Sequence, residues 1–320
     1  MKFTIIIPTY NGAEYVENAL LSAINQTRRA DAIIVSDDNS TDNTLEICAR
    51  YKEQISIYKN ENGPSGFVEG WNNAIRLVDD GFIAILHQDD LLEPTFLEEA
   101  EKALEQHPDV KHFFVPCNYI DGDGKVIREP DYCDEKIYRF TKDTYVDAYI
   151  RIGSPHIHRC PGVITHRSIF DVCTYRKEAG HIADDDFFYR VGQYTDIVGL
   201  LKPLASYREH AKSETEHLSD LILVTRLAND YLFQIEESMS KDDDSMVLRN
   251  YFRINAITFV FQQFVCSLAL NDEERINEAL SNKDRLNILG LNLPFRKKML
   301  YKMHRILGTR VMHKIVKILK

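Results

Sequence analysis

Ile83-Ala84-Ile85-Leu86-His87-Gln88-Asp89-Asp90-Leu91-Leu92-Glu93-Pro94 is a short apolar run that ends in adjacent carboxylates. Ile83 to Leu86 reads as a central parallel strand, buried on both faces. His87, Gln88, Asp89 and Asp90 then fall at its carboxyl end, where open α/β sheets bind their ligands. Carboxylates crowded at such an edge repel one another unless a cation lies between them, and hard oxygen donors suit magnesium or manganese. A metal-bound polyphosphate is the natural ligand. The same acids also suit a solvated turn, with Asp90 or Glu93 capping a helix that starts near Pro94.

The chain before this stretch alternates strands and helices. Phe3 to Ile7 is a strand broken by Pro8, Thr9, Tyr10, Asn11 and Gly12. Glu14 to Gln26 carries apolar residues at helical spacing: Val16, Ala19, Leu20, Ala23 and Ile24. Ala32 to Val35 is a second strand that ends in Ser36, Asp37, Asp38 and Asn39, and Ser40 or Thr41 caps a helix to about Glu53. Ile55 to Tyr58, a loop from Asn60 to Gly66, and a helix from Phe67 to Val78 complete the run. This alternation predicts a parallel, right-handed, doubly wound α/β sheet whose strand ends place Thr9, Asp37, Asp38 and the HQDD group along one rim.

TIIIPTYNGAEYVENALLSAINQT, VSDDNSTDNT and LHQDDLLEP, in this order and at these intervals, resemble the nucleotide-binding half of family 2 glycosyltransferases of the GT-A fold. The resemblance covers at least Lys2 to His210. It implies a GT-A type, mostly parallel sheet flanked by helices, and an inverting transferase that uses a nucleotide-diphosphate sugar and a divalent metal, manganese or magnesium. It places Pro8, Thr9, Tyr10, Asp37 and Asp38 at base and ribose, likens Asn72 to a helix Asn of the family, and puts Gln88 and Asp89 at the diphosphate. Aligned on Pro94, the family's DxD reads His87, Gln88, Asp89, so a His stands at the first acid. A neutral imidazole can ligate manganese or hydrogen-bond sugar or ribose. Asp89, His87 and His210 are the metal-ligand candidates.

Thr95 to Gln106 reads as a helix, Val110 to Asn118 as one strand, and Ile120 to Ile127 as a hairpin through a DG turn. Asp143 to Ile152 is a predicted helix, and His156 and His158 are read as ordinary surface residues. Gly162 to Thr165 is a strand and Arg167 to Tyr175 a helix. In AGHIADDDFFYRVGQY, Asp185 and Asp186 read as a cluster favouring a helix dipole. Asp184, counted back from Arg190, resembles the general base of the family's ED...R motif, with Ala183 where Glu usually stands. Inversion needs such a base on the face opposite the leaving diphosphate. Phe187 and Phe188 are read as core before acceptor site. After a strand at Leu204 to Glu209, Tyr207-Arg208-Glu209-His210-Ala211-Lys212-Ser213 resembles the segment that brings a His to metal or diphosphate, with Lys212 and Ser213 as further donors.

These motifs divide the chain into a glycosyltransferase domain at 1–214, with a nucleotide-binding half at 1–118 and an acceptor half at 119–214, and a helical region at 215–320. Glu216 to Glu237 and Ser245 to Leu270 are long helical patterns separated by Lys241 to Asp244. From Arg285 onward there is no Asp or Glu, and Phe295 to Lys320 forms a basic amphipathic helix with a break at Gly308. That helix either lies on an anionic membrane, at roughly 1 kcal/mol per basic residue, or covers the domain's own core.

The net charge of −10 argues against nucleic acid as a partner. The six cysteines show no CxxC pair and read as reduced, mostly buried thiols. No signal peptide and no long uncharged apolar segment is read, which predicts a cytoplasmic protein, peripheral on the inner face of the plasma membrane if the basic helix anchors it. A pyrophosphorylase or dehydrogenase would need a Gly-rich phosphate loop, and no GxGxxG follows the first strand. The remaining alternative is a noncatalytic nucleotide-sugar or glycan-binding protein of the same fold, against which Asp89 and Asp184 speak. The expected acceptor is a glycan or lipid-linked intermediate of cell-surface polysaccharide or glycolipid assembly.

Overall fold

FTIIIPT is almost wholly buried and forms the first strand, Phe3–Thr9 (β1), as expected of a run covered on both faces. Ala32–Asp37 (β2), Ser56–Lys59 (β3) and Phe82–Ile85 (β4) join it in parallel, in the order β3-β2-β1-β4. The computed structural model describes residues 1–130, 132–141, 160–210, 221–240 and 246–319. The readings of a helix at 143–152, of His156 and His158, of Lys212 and Ser213, and of the polar break at 241–244 lie outside the described residues.

Helices Val16–Ile24 (α1), Thr44–Ala49 (α2), Phe67–Arg76 (α3) and Phe96–Gln106 (α4) connect and cover these strands. In α1 the buried residues are Val16, Ala19, Leu20 and Ala23, the stripe that a 3.6-residue period requires. Helix α2 is shorter than its sequence suggests. Ser40 and Thr41 do not cap it, because the Ser40 hydroxyl is bound to Asp37 and Thr41 to Asn11.

Beyond β4 the eight-stranded sheet becomes mixed. Val163–His166 (β10) lies antiparallel to both β4 and His112–Phe114 (β6), and Ile197–Leu200 (β11) pairs parallel to β6 and antiparallel to Ile137–Phe140 (β9). The single strand read over Val110 to Asn118 is two strands. Pro116 cannot donate a ladder hydrogen bond, and after it Cys117–Ile120 (β7) enters a second sheet with Leu91–Leu92 (β5), Val126–Arg128 (β8) and Ala205–Arg208 (β12), in the order β5-β12-β7-β8. The helix read over Arg167 to Tyr175 is only a 3₁₀ turn at Arg167–Ile169. Phe170 and Tyr175 are instead drawn onto Phe187, with ring centroids 5.3 and 4.5 Å away, so packing overrides the helical spacing. Phe187 and Phe188 are fully buried core residues of Ala183–Val191 (α5). Of the six cysteines, Cys48, Cys117, Cys160 and Cys173 are buried, and all are free thiols.

The chain forms two compact units, Met1–Lys177 with Ala183–Ser213, and Glu178–Ile182 with Glu214–Lys320. In the second, Leu221–Ser240 (α6), Met246–Leu270 (α7), Glu273–Ile288 (α8) and Phe295–Leu319 (α9) pack through aromatic and amide contacts. Phe264 stacks on Tyr301 at 4.1 Å, Tyr231 on Phe259 at 5.4 Å, and Asn282 Nδ2 donates to Gln263 Oε1 at 3.1 Å. Leu248–Leu270 is long and apolar enough to cross a membrane by length and composition, although it carries Arg249 and Arg253. Phe252, Ala256, Val260, Phe264 and Leu268 of that helix are buried within the unit, as a core helix requires.

Candidate active site

The register of the parallel strands sets the rim. Thr9 stands opposite Asp37 and Pro8 opposite Ser36, while Ile6 pairs with Ile85, so the loops after β1, β2 and β4 leave the sheet at one edge. The Thr9 hydroxyl donates to Asp37 Oδ1 at 2.9 Å. Ser40 adds its backbone N–H to Oδ2 at 2.9 Å and its hydroxyl to Oδ1 at 2.6 Å. Asp38 accepts from Asn60 Nδ2 at 2.7 Å, from the Ser65 N–H at 2.7 Å and hydroxyl at 2.9 Å, and from the Gly66 N–H at 3.2 Å. Both carboxylates therefore tie rim loops together, and a buried acid so surrounded by donors is stable without a cation.

Gln88 is bound in a way that its sequence position does not reveal. Its Oε1 accepts the Tyr10 N–H at 2.9 Å and its Nε2 donates to the Tyr10 carbonyl at 3.1 Å. The amide thus mimics a strand partner and fastens the Pro8–Gly12 turn to the β4 loop. A Cβ on Gly12 would lie 2.1 Å from Gln88 Oε1, which is why that position carries no side chain. Gln88 therefore acts on the rim by positioning Tyr10, whose exposed ring remains at the surface.

Asp89 and Asp90 have separate surroundings. Asp90 is buried and its Oδ1 accepts the Arg208 N–H at 2.8 Å. The Arg208 side chain, 1% exposed, donates from Nε to the Asp89 carbonyl at 2.7 Å and from Nη1 to the carbonyls of Asp121 and Gly122 at 2.8 and 2.9 Å. It lies 4.8 Å from the centre of the Tyr15 ring. A guanidinium with this many acceptors can be buried, and it holds the acidic loop from below. Sequence reasoning assigned no role to Arg208. Its place one residue beyond Tyr207 in a buried strand was the available signal.

With Asp90 engaged by the backbone, Asp89 points elsewhere: its Oδ2 is 3.0 Å from His210 Nε2. Burial raises the Asp89 carboxyl pKa, but the His210 hydrogen bond and the charges of His87 and His210 outweigh it, so the group is held below its ordinary value. The carboxylate is a fitting donor for manganese or magnesium, which are commonly held by one or two carboxylates plus substrate phosphates, and of the two the neighbouring imidazole suits manganese better. Among the described residues no group of three or more His, Cys, Asp or Glu side chains gathers as a metal cluster. His87 is accordingly not brought in as a third ligand. Its Nδ1 is 3.6 Å from Asp90 Oδ2, its ring stacks on Trp71 at 4.9 Å, and its Nε2 is buried without a hydrogen-bond partner. Burial lowers the His87 pKa, against the opposing charges of Asp89 and Asp184.

Trp71 is the second feature missed from the sequence. Phe67 and Tyr175 meet it edge-on at 5.2 and 5.3 Å, forming an aromatic wall beside His87. Asn72, next to it on α3, donates to the Tyr175 carbonyl at 2.9 Å and so holds this wall. The single Trp of the chain, adjacent to the motif-like Asn, was the clue.

The N-terminus of α5 supplies Asp184. Its charge acts on His87, on the Cys160 thiol and on the Tyr175 hydroxyl; the last two are pushed well up chiefly by burial, with Asp184 adding to it. Its Oδ1 accepts the Asp185 N–H at 2.9 Å. Asp186, read as part of a dipole-favouring cluster, is instead a buried ion-pair centre. Arg176 Nε and Arg190 Nε each donate to its Oδ2 at 2.9 Å, and this holds its pKa down against a burial effect that would raise it. The arginine of the ADDDFFYR run thus fixes the helix through Asp186 and leaves Asp184 to the rim.

The chain has relatives among known proteins. It is 24% identical over 293 residues to the glycosyltransferase-like protein EpsH of Bacillus subtilis, across 87% of this chain and 81% of that one. It is 28% identical over 212 residues to an uncharacterised glycosyltransferase of Rickettsia prowazekii, across 66% of this chain and 65% of the relative's length. In three dimensions it resembles residues 1–349 of Staphylococcus aureus TarS, with a TM-score of 0.64 at 16% identity over 99% of this chain and 90% of that one. It also resembles the mannosyltransferase PcManGT of Pyrobaculum calidifontis, solved with GDP-Man and Mn2+, with a TM-score of 0.53 at 16% identity over 98% and 84%. At such identities the likeness shows the GT-A fold. The profile of glycosyl transferase family 2 matches residues 4–166, just over half of the chain and the stretch that carries β1, the Asp37-Asp38 loop and the HQDD loop. By that match the chain belongs to glycosyl transferase family 2.

Proposed function

We propose that this glycosyltransferase moves a sugar from a nucleoside-diphosphate donor to an acceptor hydroxyl with inversion, in the assembly of a cell-surface glycan or a lipid-linked precursor. The observation that carries the reading is the pairing of Asp89 with His210, together with an acid, Asp184, that is left unclaimed by Arg176 and Arg190. In the proposed displacement Asp184 takes the proton of the acceptor hydroxyl. The acceptor oxygen forms its bond to the anomeric carbon as the bond to the diphosphate oxygen breaks, and that oxygen keeps the electron pair. Asp89 and His210 would hold a divalent metal, which when bound neutralises charge on the departing diphosphate. Trp71 offers an apolar face to a sugar ring.

The relatives agree in kind. S. aureus TarS has been solved in complex with UDP-GlcNAc, and over 141 residues this chain is 29% identical to the hyaluronan synthase of Pasteurella multocida, across 42% of this chain and 14% of that one. Thermal shift with UDP, GDP, dTDP and CMP, with manganese or EDTA, tests the donor site, since a ligand of the native state raises its stability. One nucleotide giving a metal-dependent shift that Asp89→Ala abolishes is the expected result. Asp184→Asn should keep that shift and lose transfer by on the order of 10²–10⁴-fold. Full transfer by Asp184→Asn refutes the base assignment, and no shift with any nucleotide refutes the donor site.

A further inference from the structure

Helix α9 uses one of its faces for the helical unit. Tyr301, Met312 and Val316 are buried, and His313 Nδ1 lies 2.8 Å from the Leu268 carbonyl. The other face is open. Phe295 is 75% and Ile306 80% exposed, and Met299 and Lys302 fall on the same stripe at helical steps of four, three and four residues. Gly308, at φ 72°, turns the helix. Beyond it Arg310, Lys314 and Lys317 form a basic row at steps of four and three, all exposed. Among the described residues, no ion pair engages a Lys or Arg of this helix, and the chain has no Asp or Glu after Asp284 with which to neutralise them.

The helix thus presents an apolar stripe, which is unfavourable in water, together with a basic row beyond Gly308 that is drawn to anions. It matches a surface that is apolar below and anionic above. We infer that the outer face of α9 docks on an anionic phospholipid bilayer, with Phe295, Met299 and Ile306 entering the headgroup boundary and Lys302, Arg310, Lys314 and Lys317 meeting lipid phosphates. Nucleic acid would account for the basic row but not for the apolar stripe, and the same face of a second copy would account for the stripe but would set the basic row against its own like charge. The inference is independent of the donor-site reading, because binding to vesicles needs no turnover.

Flotation of the full chain with phosphatidylcholine vesicles, or with phosphatidylcholine and phosphatidylglycerol in equal parts, tests it. The protein should float with the anionic vesicles alone and be released by high salt. Neutralising three basic residues together, Arg310→Gln, Lys314→Gln and Lys317→Gln, should weaken vesicle binding by roughly 100-fold. Met299→Ser with Ile306→Ser should weaken it while leaving the far-ultraviolet dichroism unchanged, since both side chains are outside the core. Failure to float, equal flotation with neutral vesicles, or unaltered binding by both variants overturns the inference. So does a dimer in solution that Ile306→Ser dissociates, because the face would then belong to a second copy.

Discussion

Gln88 and Gly12 make one device out of two residues that lie far apart in the chain. The Gln88 amide has both of its polar atoms on the Tyr10 backbone, and the space it occupies is the space a Gly12 side chain would need. Gly12→Ala should therefore expel the end of the Gln88 side chain, at a cost of about 1–2 kcal/mol for the two amide bonds. Gln88→Ala should cost about the same, and the double variant no more than either alone, because the same two bonds are lost in each case. Urea unfolding of the three variants checks this, and additive losses would show that the two residues act separately. Activity should fall with them, since both release the turn that carries Tyr10. The acids of the rim could be picked out of the sequence by their place after strands. That Asp37 and Asp38 are braced internally, that Asp89 turns to His210, and that Gln88 clamps a backbone could not, because each depends on a partner some 20 to 120 residues away.

Elements were legible where local periodicity and burial agree. The first four strands and the helices between them follow the sequence pattern within a few residues, because β1, β2 and β4 are largely buried and each helix shows one stripe to the sheet. The reading failed where one apolar run serves two sheets, at Pro116, and where Phe170 and Tyr175 pack on Phe187 without a helix beneath them. In the helical unit, Asp230 on α6 accepts the His181 N–H at 2.8 Å. Burial pushes its carboxyl up from 3.8 to about 7, with the His181 bond and the Arg226 charge opposing the rise. An acid whose folded pKa lies above its unfolded value favours the folded state at low pH, and that contribution declines as pH rises from 3.8 through about 7. The helical unit should accordingly lose stability over this interval. Asp230→Asn, which still accepts from His181, should remove that part of the slope. Unfolding of both proteins by urea across the interval decides it, and equal slopes would show that Asp230 does not titrate there.

For the whole molecule, the division into two compact units predicts two calorimetric transitions. A bound nucleoside diphosphate should raise the transition of the unit that holds Asp89 and His210, and Asp230→Asn should move the other. A single transition displaced by both changes would mean that the units unfold as one. The α/β order of the first half, the rim acids and the basic amphipathic end were determined by the sequence itself, since periodicity, strand-end placement and charge are local properties. The antiparallel insertion of β10, the second sheet, the buried Arg208, the Trp71–His87 stack and the use of one face of α9 for the core were decided only by tertiary structure. Each of these joins segments distant along the chain, and a hydrogen bond or a ring contact between distant segments leaves no periodic trace in either of them.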